Sequence, residues 1–248
     1  MNHISLVTGA DRGLGYALTA RLLEKGWRVF AGQFMPDWPD LSGLQARYEE
    51  MLTLVPLDVA QGESVASAAA LVAAQTDHVD LIINNAGILA PTSDRVLGEG
   101  QDFEGMLKDY DVNALGPLRV VEAFLPLTQR SDMKRLAFIS SEAGSINRSE
   151  RKGWFGYCMS KTALNMAAGI LFNRLRPEGY TFRLYYPGWM RTYMRGAKAT
   201  QGDMEPEEAA TYALAYFLRD RGYDPDTPGR GDENRLVLRD WRGIEWPW

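Results

Sequence analysis

The chain has a single cysteine, Cys158, and two histidines. One thiol cannot close an internal disulfide, and so few sulfur and imidazole ligands argue against zinc; no metal is expected. Positive charge is not in excess either. Lys and Arg number 27 against 32 Asp and Glu, a formal net charge of −5. No basic surface is therefore on offer to nucleic-acid phosphates. Nor does any apolar run reach the ~18–20 residues of a membrane span. The longest, 65–74 and 81–90, are broken by Ser67 and by Asn84 and Asn85. A strand-like run at 4–7 opens the chain and leaves no room for a signal peptide, so a cytoplasmic location is expected. What remains is ordinary: 248 residues, 46% hydrophobic and 24% charged, suit one large globular domain and are short for two.

Apolar runs of strand length alternate with stretches of helical period. Residues 4–8, 28–31, 52–57, 79–84, 135–140, 182–186 and 235–238 read as strands. Most are continuously apolar, as in a parallel sheet covered on both faces. Leu14, Leu18 and Leu22 fall four apart and stop before Lys25-Gly26, where a cation and a glycine suit a helix C-terminus. Further helices are expected at 63–75, within 103–129 (which contains Gly116-Pro117), at 156–176 and at 206–219. Segments 33–40, 90–100, 147–153, 190–205 and 221–234 read as irregular. The alternation predicts an α/β, Rossmann-type doubly wound fold, with a seven-stranded parallel sheet between helices, as a single domain over 1–248.

The first strand runs into Thr8-Gly9-Ala10-Asp11-Arg12-Gly13-Leu14-Gly15, which opens the first helix. Glycines there allow a tight turn and close backbone approach to a pyrophosphate, and a helix N-terminus favours the anion. No Gly-Lys-Ser/Thr follows, which excludes the nucleotide-triphosphate loop. Gly9, Arg12, Gly13, Leu14 and Gly15 are the expected dinucleotide-binding residues, although Arg12 also reads as a plain exposed loop arginine. Sites for NAD usually place a carboxylate at the end of the second strand; this chain has Gln33-Phe34-Met35, with Asp37 later. Without that charge a 2′-phosphate is not repelled, which favours NADP(H) and leaves NAD(H) possible.

Tyr157 and Lys161 lie four apart at the start of a helix and so share a face. An ammonium beside a phenol favours phenolate, and each unit of lowering is worth about 1.36 kcal/mol. Such a pair suits a tyrosine general acid/base. Alone, this spacing is equally that of a half-buried tyrosine beside a solvated lysine.

Together, Thr8-Gly-x-x-x-Gly13-x-Gly15, Leu57-Asp58-Val59, Asn84-Asn85-Ala86-Gly87, Asn113, Ser140-Ser141-x-x-Gly144, Tyr157-x-x-x-Lys161 and Pro187-Gly188 with Thr192 resemble the short-chain dehydrogenase/reductase family in its shorter branch. The resemblance spans nearly the whole chain. It implies an NAD(P)(H)-dependent oxidoreductase that moves a hydride between nicotinamide and a carbonyl/alcohol pair. Tyr157 is then the general acid/base. Lys161 lowers its pKa and binds the ribose, Ser141 orients the substrate oxygen, and Asn113 holds a relay water. Ser140 is the alternative hydroxyl. Sixteen residues separate Ser141 from Tyr157, longer than is usual in the family, with the excess falling in the polar stretch 147–153. Asp58 and Val59 would meet adenine, Asn85, Ala86 and Gly87 the adenosine ribose, Pro187 and Gly188 the nicotinamide, and Thr192 its carboxamide or a phosphate. Asp58 reads equally as a charge at a helix start, and Asn84 and Asn85 as partners of strand-end backbone.

Within the family, Gly144-Ser145-Ile146, the run 159–165 and the ending 243–248 look like the C-factor/sniffer-type carbonyl reductases. Trp154, Phe155, Trp189, Met190, Tyr193 and Met194 suggest a pocket for a hydrophobic carbonyl compound, with 189–205 as a lid, or else simple loop packing. Cys158 reads as packing rather than reactivity. Ala163, Met166, Ala167, Gly169 and Ile170 give the Tyr-Lys helix a close-packing face. By resemblance a homodimer or homotetramer is expected, with small-molecule substrates, no nucleic acid and no membrane. Two other readings stay open: a dinucleotide-binding sensor of the same fold without relevant turnover, and an epimerase or dehydratase of the family's longer branch.

Overall fold

A computed structural model describes residues 3–220 and 232–248. Strands β1 (Ile4–Val7), β2 (Arg28–Gln33), β3 (Leu52–Pro56), β4 (Leu81–Asn84), β5 (Arg135–Ile139), β6 (Thr181–Tyr186), β7 (Leu238–Asp240) and β8 (Glu245–Trp246) form one sheet in the order β3-β2-β1-β4-β5-β6-β7-β8. Pairings from β3 through β7 are parallel. The order reverses between β1 and β4, and this switch point is where an open α/β sheet leaves a crevice for a ligand.

The period of two along each strand divides the core. Val7, Val29 and Ala31 face α1 (Gly13–Glu24), α2 (Asp40–Arg47) and α7 (Pro206–Phe217), packing with Leu18, Leu22, Leu44 and Phe217. Leu6, Phe30 and Ile82 face α3 (Gly62–Ala73), α5 (Gly116–Thr128) and α6 (Phe155–Leu175), packing with Val72, Phe124, Leu164 and Ala168. Each large aliphatic or aromatic side chain so buried contributes about 1.5–3 kcal/mol.

Three differences from the sequence reading have physical causes. The sheet has eight strands rather than seven parallel ones, because β7 and β8 make an antiparallel hairpin. Its turn is held by Asp240, whose Oδ1 accepts the N–H groups of Arg242 and Ile244, with Gly243 at φ +83°. Second, α2 forms in a polar segment because Leu41 and Leu44, one turn apart, both reach the core. Third, the helical region 103–129 carries a π-helical turn. It divides into α4 (Phe103–Tyr110), a π-helical turn Asp111–Leu115 and α5. Of the expected irregular segment 221–234, residues 232–234 form a short 3-10 turn, and the rest lies outside the described residues. Among the described residues no helix is long and apolar enough to cross a membrane.

Candidate active site

The glycine turn is bolted to the end of β4. Thr8 Oγ1 accepts the N–H groups of Asn85 and Ala86, both at 3.0 Å, and Asn85 Nδ2 donates to the Thr8 and Gly9 carbonyls. Gly9 has φ +61°, and a Cβ there would come within 2.9 Å of Ala86 Cα. At Gly15 a Cβ would sit 2.0 Å from the Gly9 carbonyl oxygen. Only glycine lets α1 start this close to the strand. The first turn of α1 has neither a capping side chain nor an acidic residue, so its N–H groups face the crevice unopposed. Leu14 is buried beneath it. Thr192 lies over the turn, 3.7 Å from where a Gly13 Cβ would be.

Arg12 lies over a pair of rings in edge contact, its guanidinium 4.8 Å from Trp38 and 5.6 Å from Tyr193. The sequence reading missed Asp11. Its carboxylate is 5% exposed and accepts the N–H groups of Phe34 and Met35, so an anion does stand at the end of β2. Both oxygens are occupied by backbone, and no local pattern announced the contact. Asp58 shapes the turn that leads into α3: Oδ1 accepts the Ala60 N–H, and its own N–H donates to Ser64 Oγ. Val59 packs against Gly116, where a Cβ would come within 2.8 Å. Pro187-Gly188 turn the chain after β6, with Gly188 at φ +84° against Trp241.

On the other side of the crevice, β5 and α6 bring the catalytic candidates together. Ser141 leaves β5 in extended backbone, and its Oγ accepts the Ala143 N–H at 3.1 Å. Ser140 Oγ instead donates to Asn165 Oδ1 at 2.6 Å within the core. Tyr157 is 7% exposed and lies beside Ser141, with Trp154 edge-on at 5.9 Å. Lys161 is 2% exposed; its Nζ donates to the Ile139 carbonyl at 3.0 Å and stands 5.6 Å from the Tyr157 ring centre. Gly87 borders the ammonium, its Cβ position 3.5 Å from Nζ.

Burial dominates the electrostatics. It pushes the Tyr157 phenol well above its ordinary value, against a lowering contribution from Ser141. The expected lowering by Lys161 is not what sets this phenol in the chain by itself. Burial also lowers Lys161 to about 8, with Asp109 pulling the other way. Cys158, packed by Leu89, Ala143 and Tyr157, is pushed up by burial and so held as a thiol.

Asn113 lies in the π-helical turn, fully buried. Its Nδ2 donates to the Ile88 carbonyl and to Ser160 Oγ, and its Oδ1 accepts the Ile88 N–H at 2.8 Å. Both amide protons are thus spent on protein partners, leaving one Oδ1 lone pair for a relay water. Facing the site, Arg195 on the loop after β6 pairs with Asp94 on the loop after β4 at 2.6 Å, and Trp154 also donates to Asp94.

The short chain dehydrogenase family model matches residues 3–203. C-signal of Myxococcus xanthus is 36% identical over 173 residues, 70% of this chain and 95% of that protein. Carbonyl reductase from chicken fatty liver, crystallised with NADPH, superimposes with a TM-score of 0.82 at 27% identity, covering 100% of this chain and 99% of the other. A carbonyl reductase of Pseudomonas aeruginosa in complex with NADP gives 0.76 at 27% identity, covering 100% of both chains. The family model covers most of the chain, and the chain belongs to the short chain dehydrogenase family.

Proposed function

We propose that this chain is an NADP(H)-dependent carbonyl reductase acting on small hydrophobic aldehydes, ketones or quinones, with Tyr157 as the proton donor. The observation that carries this reading is the buried Tyr157 phenol, with Ser141 beside it and Lys161 one turn along the same helix face. A protonated phenol at neutral pH is what a carbonyl oxygen gaining negative charge requires. NADPH, when bound, supplies the hydride.

The residues present fit that cofactor. Gly13, Leu14 and Gly15 offer the uncapped start of α1 to a diphosphate, and Gly9 and Gly15 let the turn close tightly enough to present it. Gly87 leaves room beside Lys161 for a ribose, and Asp58 has a second carboxylate oxygen for an adenine amino group. Arg12, stacked rather than ion-paired, has charge to give a 2′-phosphate, while Asp11 has both oxygens committed to backbone. Two carbonyl reductases of this fold, crystallised with NADPH and NADP, support the same choice.

In the proposed reaction the Ser141 hydroxyl donates to the substrate carbonyl and holds its oxygen beside Tyr157. Tyr157 delivers its proton to that oxygen. Lys161, kept cationic below about pH 8, favours the phenolate left behind. Asn113 holds the π-helical turn against α6 and, through its spare lone pair, a water on the proton's return path. Residues 189–205 act as a lid, latched across the site by Arg195 to Asp94. Exposed Phe103, Leu107, Met166 and Ile170 support a homo-oligomer formed on α4 and α6. The test is NADPH oxidation by the purified protein against a panel of aldehydes, ketones and quinones; an inert protein with NADPH bound would favour the sensor reading instead.

A further inference from the structure

Two neighbouring residues of the lid meet two neighbouring residues of the glycine turn. Thr192 lies 3.7 Å from the Cβ position of Gly13, and the Tyr193 ring stands 5.6 Å from the Arg12 guanidinium. Trp38, on the loop between β2 and α2, completes the group. Its ring is 4.8 Å from the same guanidinium and meets Tyr193 edge-on at 5.1 Å. The indole is fixed in turn, because Nε1 donates to Asp40 Oδ2 at 2.9 Å at the start of α2. On the lid side, the Gly196 N–H donates to the Tyr193 carbonyl at 2.9 Å and the Ala199 N–H to the Thr192 carbonyl at 2.8 Å. Tyr193 is therefore presented by a folded turn of the lid. Arg12, Trp38 and Tyr193 are all half-buried.

Ring contact engages the face of a guanidinium and leaves its N–H edges, which lie in the plane, to grip an anion. Among the described residues the Arg12 guanidinium makes neither an ion pair nor a hydrogen bond, so those edges are unspent. The end of β2 contributes Gln33, Phe34 and Met35, none of them cationic. At that strand end the charge for a 2′-phosphate thus falls to Arg12, whose long stem has to be ordered before it can serve.

We propose that Tyr193, a residue of the lid, determines coenzyme specificity: with Trp38 it holds the Arg12 guanidinium for the 2′-phosphate of NADP(H), so that reading the phosphate and seating the lid are one event. The inference rests on the NADP(H) reading above. The coupling runs both ways: a phosphate that fixes Arg12 favours the seated lid, and a seated lid favours the phosphate by the same factor. NADH has a hydroxyl in place of that phosphate and gains nothing from the ring pair.

Binding, not turnover, tests this. Dissociation constants are measured by calorimetry for NADPH, NADH, 2′,5′-ADP and 5′-AMP on wild type, Tyr193→Ala and Tyr193→Phe. The last two ligands differ only by the 2′-phosphate. Tyr193→Ala should weaken NADPH and 2′,5′-ADP by about 3- to 10-fold, the value of one lost cation–ring contact, and leave NADH and 5′-AMP unchanged. Tyr193→Phe keeps the ring and should keep the preference. In a second measurement, trypsin cleavage after Arg195 and Lys198, both exposed on the lid, is followed at saturating coenzyme. NADPH should protect the wild-type lid better than NADH, and the two should protect Tyr193→Ala equally. An NADPH to NADH affinity ratio unaltered by Tyr193→Ala overturns the proposal, as does equal protection of the wild-type lid by both coenzymes. Should Tyr193→Ala fail to fold, the wild-type digest decides. A wild type that binds NADPH no tighter than NADH would instead overturn the NADP(H) reading itself, and the proposal with it.

Discussion

Replacing Asn113 by alanine is a severe test of how the site is held together. The side chain is fully buried and makes three hydrogen bonds, to Ile88 N at 2.8 Å, Ile88 O at 2.9 Å and Ser160 Oγ at 3.0 Å. Alanine leaves the part-buried Ile88 N–H and carbonyl without this partner, at about 1–3 kcal/mol each. Relaxation of the turn recovers part of this, leaving a loss of roughly 3 kcal/mol. For a chain of this size that lowers Tm by roughly 6–12 °C. Asn113 also couples the end of β4 to α6 through Ser160, which donates to the Tyr157 carbonyl. Slackening that link should cost up to about 100-fold in kcat/KM, the scale of a displacement near 1 Å in a reacting group. Differential scanning calorimetry and steady-state NADPH oxidation read the two effects. An Asn113→Ala protein melting within a degree or so of wild type would show that these hydrogen bonds do not carry the turn, and would refute the reasoning.

Two further substitutions probe other parts of the crevice. Gly15→Ala places a Cβ 2.0 Å from the Gly9 carbonyl oxygen and 2.5 Å from Asn85 Nδ2. It should cost about 1–3 kcal/mol in a urea melt and weaken NADPH binding followed by fluorescence; unchanged values for both would mean that the turn has slack. Lys161→Met should abolish activity yet stabilise the fold at neutral pH. The lysine is neutral in both states well above its unfolded pKa. Between that value and about 8 only the unfolded chain is charged, and below about 8 the folded protein carries the full desolvation penalty, on the order of 3 kcal/mol. The stability advantage of Lys161→Met should therefore be largest below about pH 8 and fade as pH rises above it. An advantage that grows with alkaline pH would contradict this.

Much of the crevice was legible because its signals are local. The glycine turn is one strand–helix junction, and Tyr157 and Lys161 are one helical turn apart. Alternate residues of near-continuous apolar strands filled both faces of the sheet, as such runs must. What escaped depends on contacts far along the chain. Asp11 reaches Phe34 and Met35 across the first α/β unit. Asn113 finds partners at Ile88 and Ser160, which no periodicity connects. The π-helical turn adds one residue to a pattern whose apolar spacing still reads as a helix, so 103–129 looked continuous. β8 is two residues long, too short for any alternation to register. Asp109 was invisible for the opposite reason: an acid on a short amphipathic helix reads as a solvated face, and only packing against Gly156 shows otherwise.

If Tyr157 donates the proton in an NADPH-linked carbonyl reduction, Tyr157→Phe isolates that step. Phenylalanine keeps the buried ring and its edge-on contact with Trp154 while removing the hydroxyl. The variant should fold, melt near the wild type and bind NADPH. Its kcat for carbonyl reduction should fall by at least the 10²–10⁴-fold that a positioned acid contributes. Undiminished turnover in Tyr157→Phe would contradict the account.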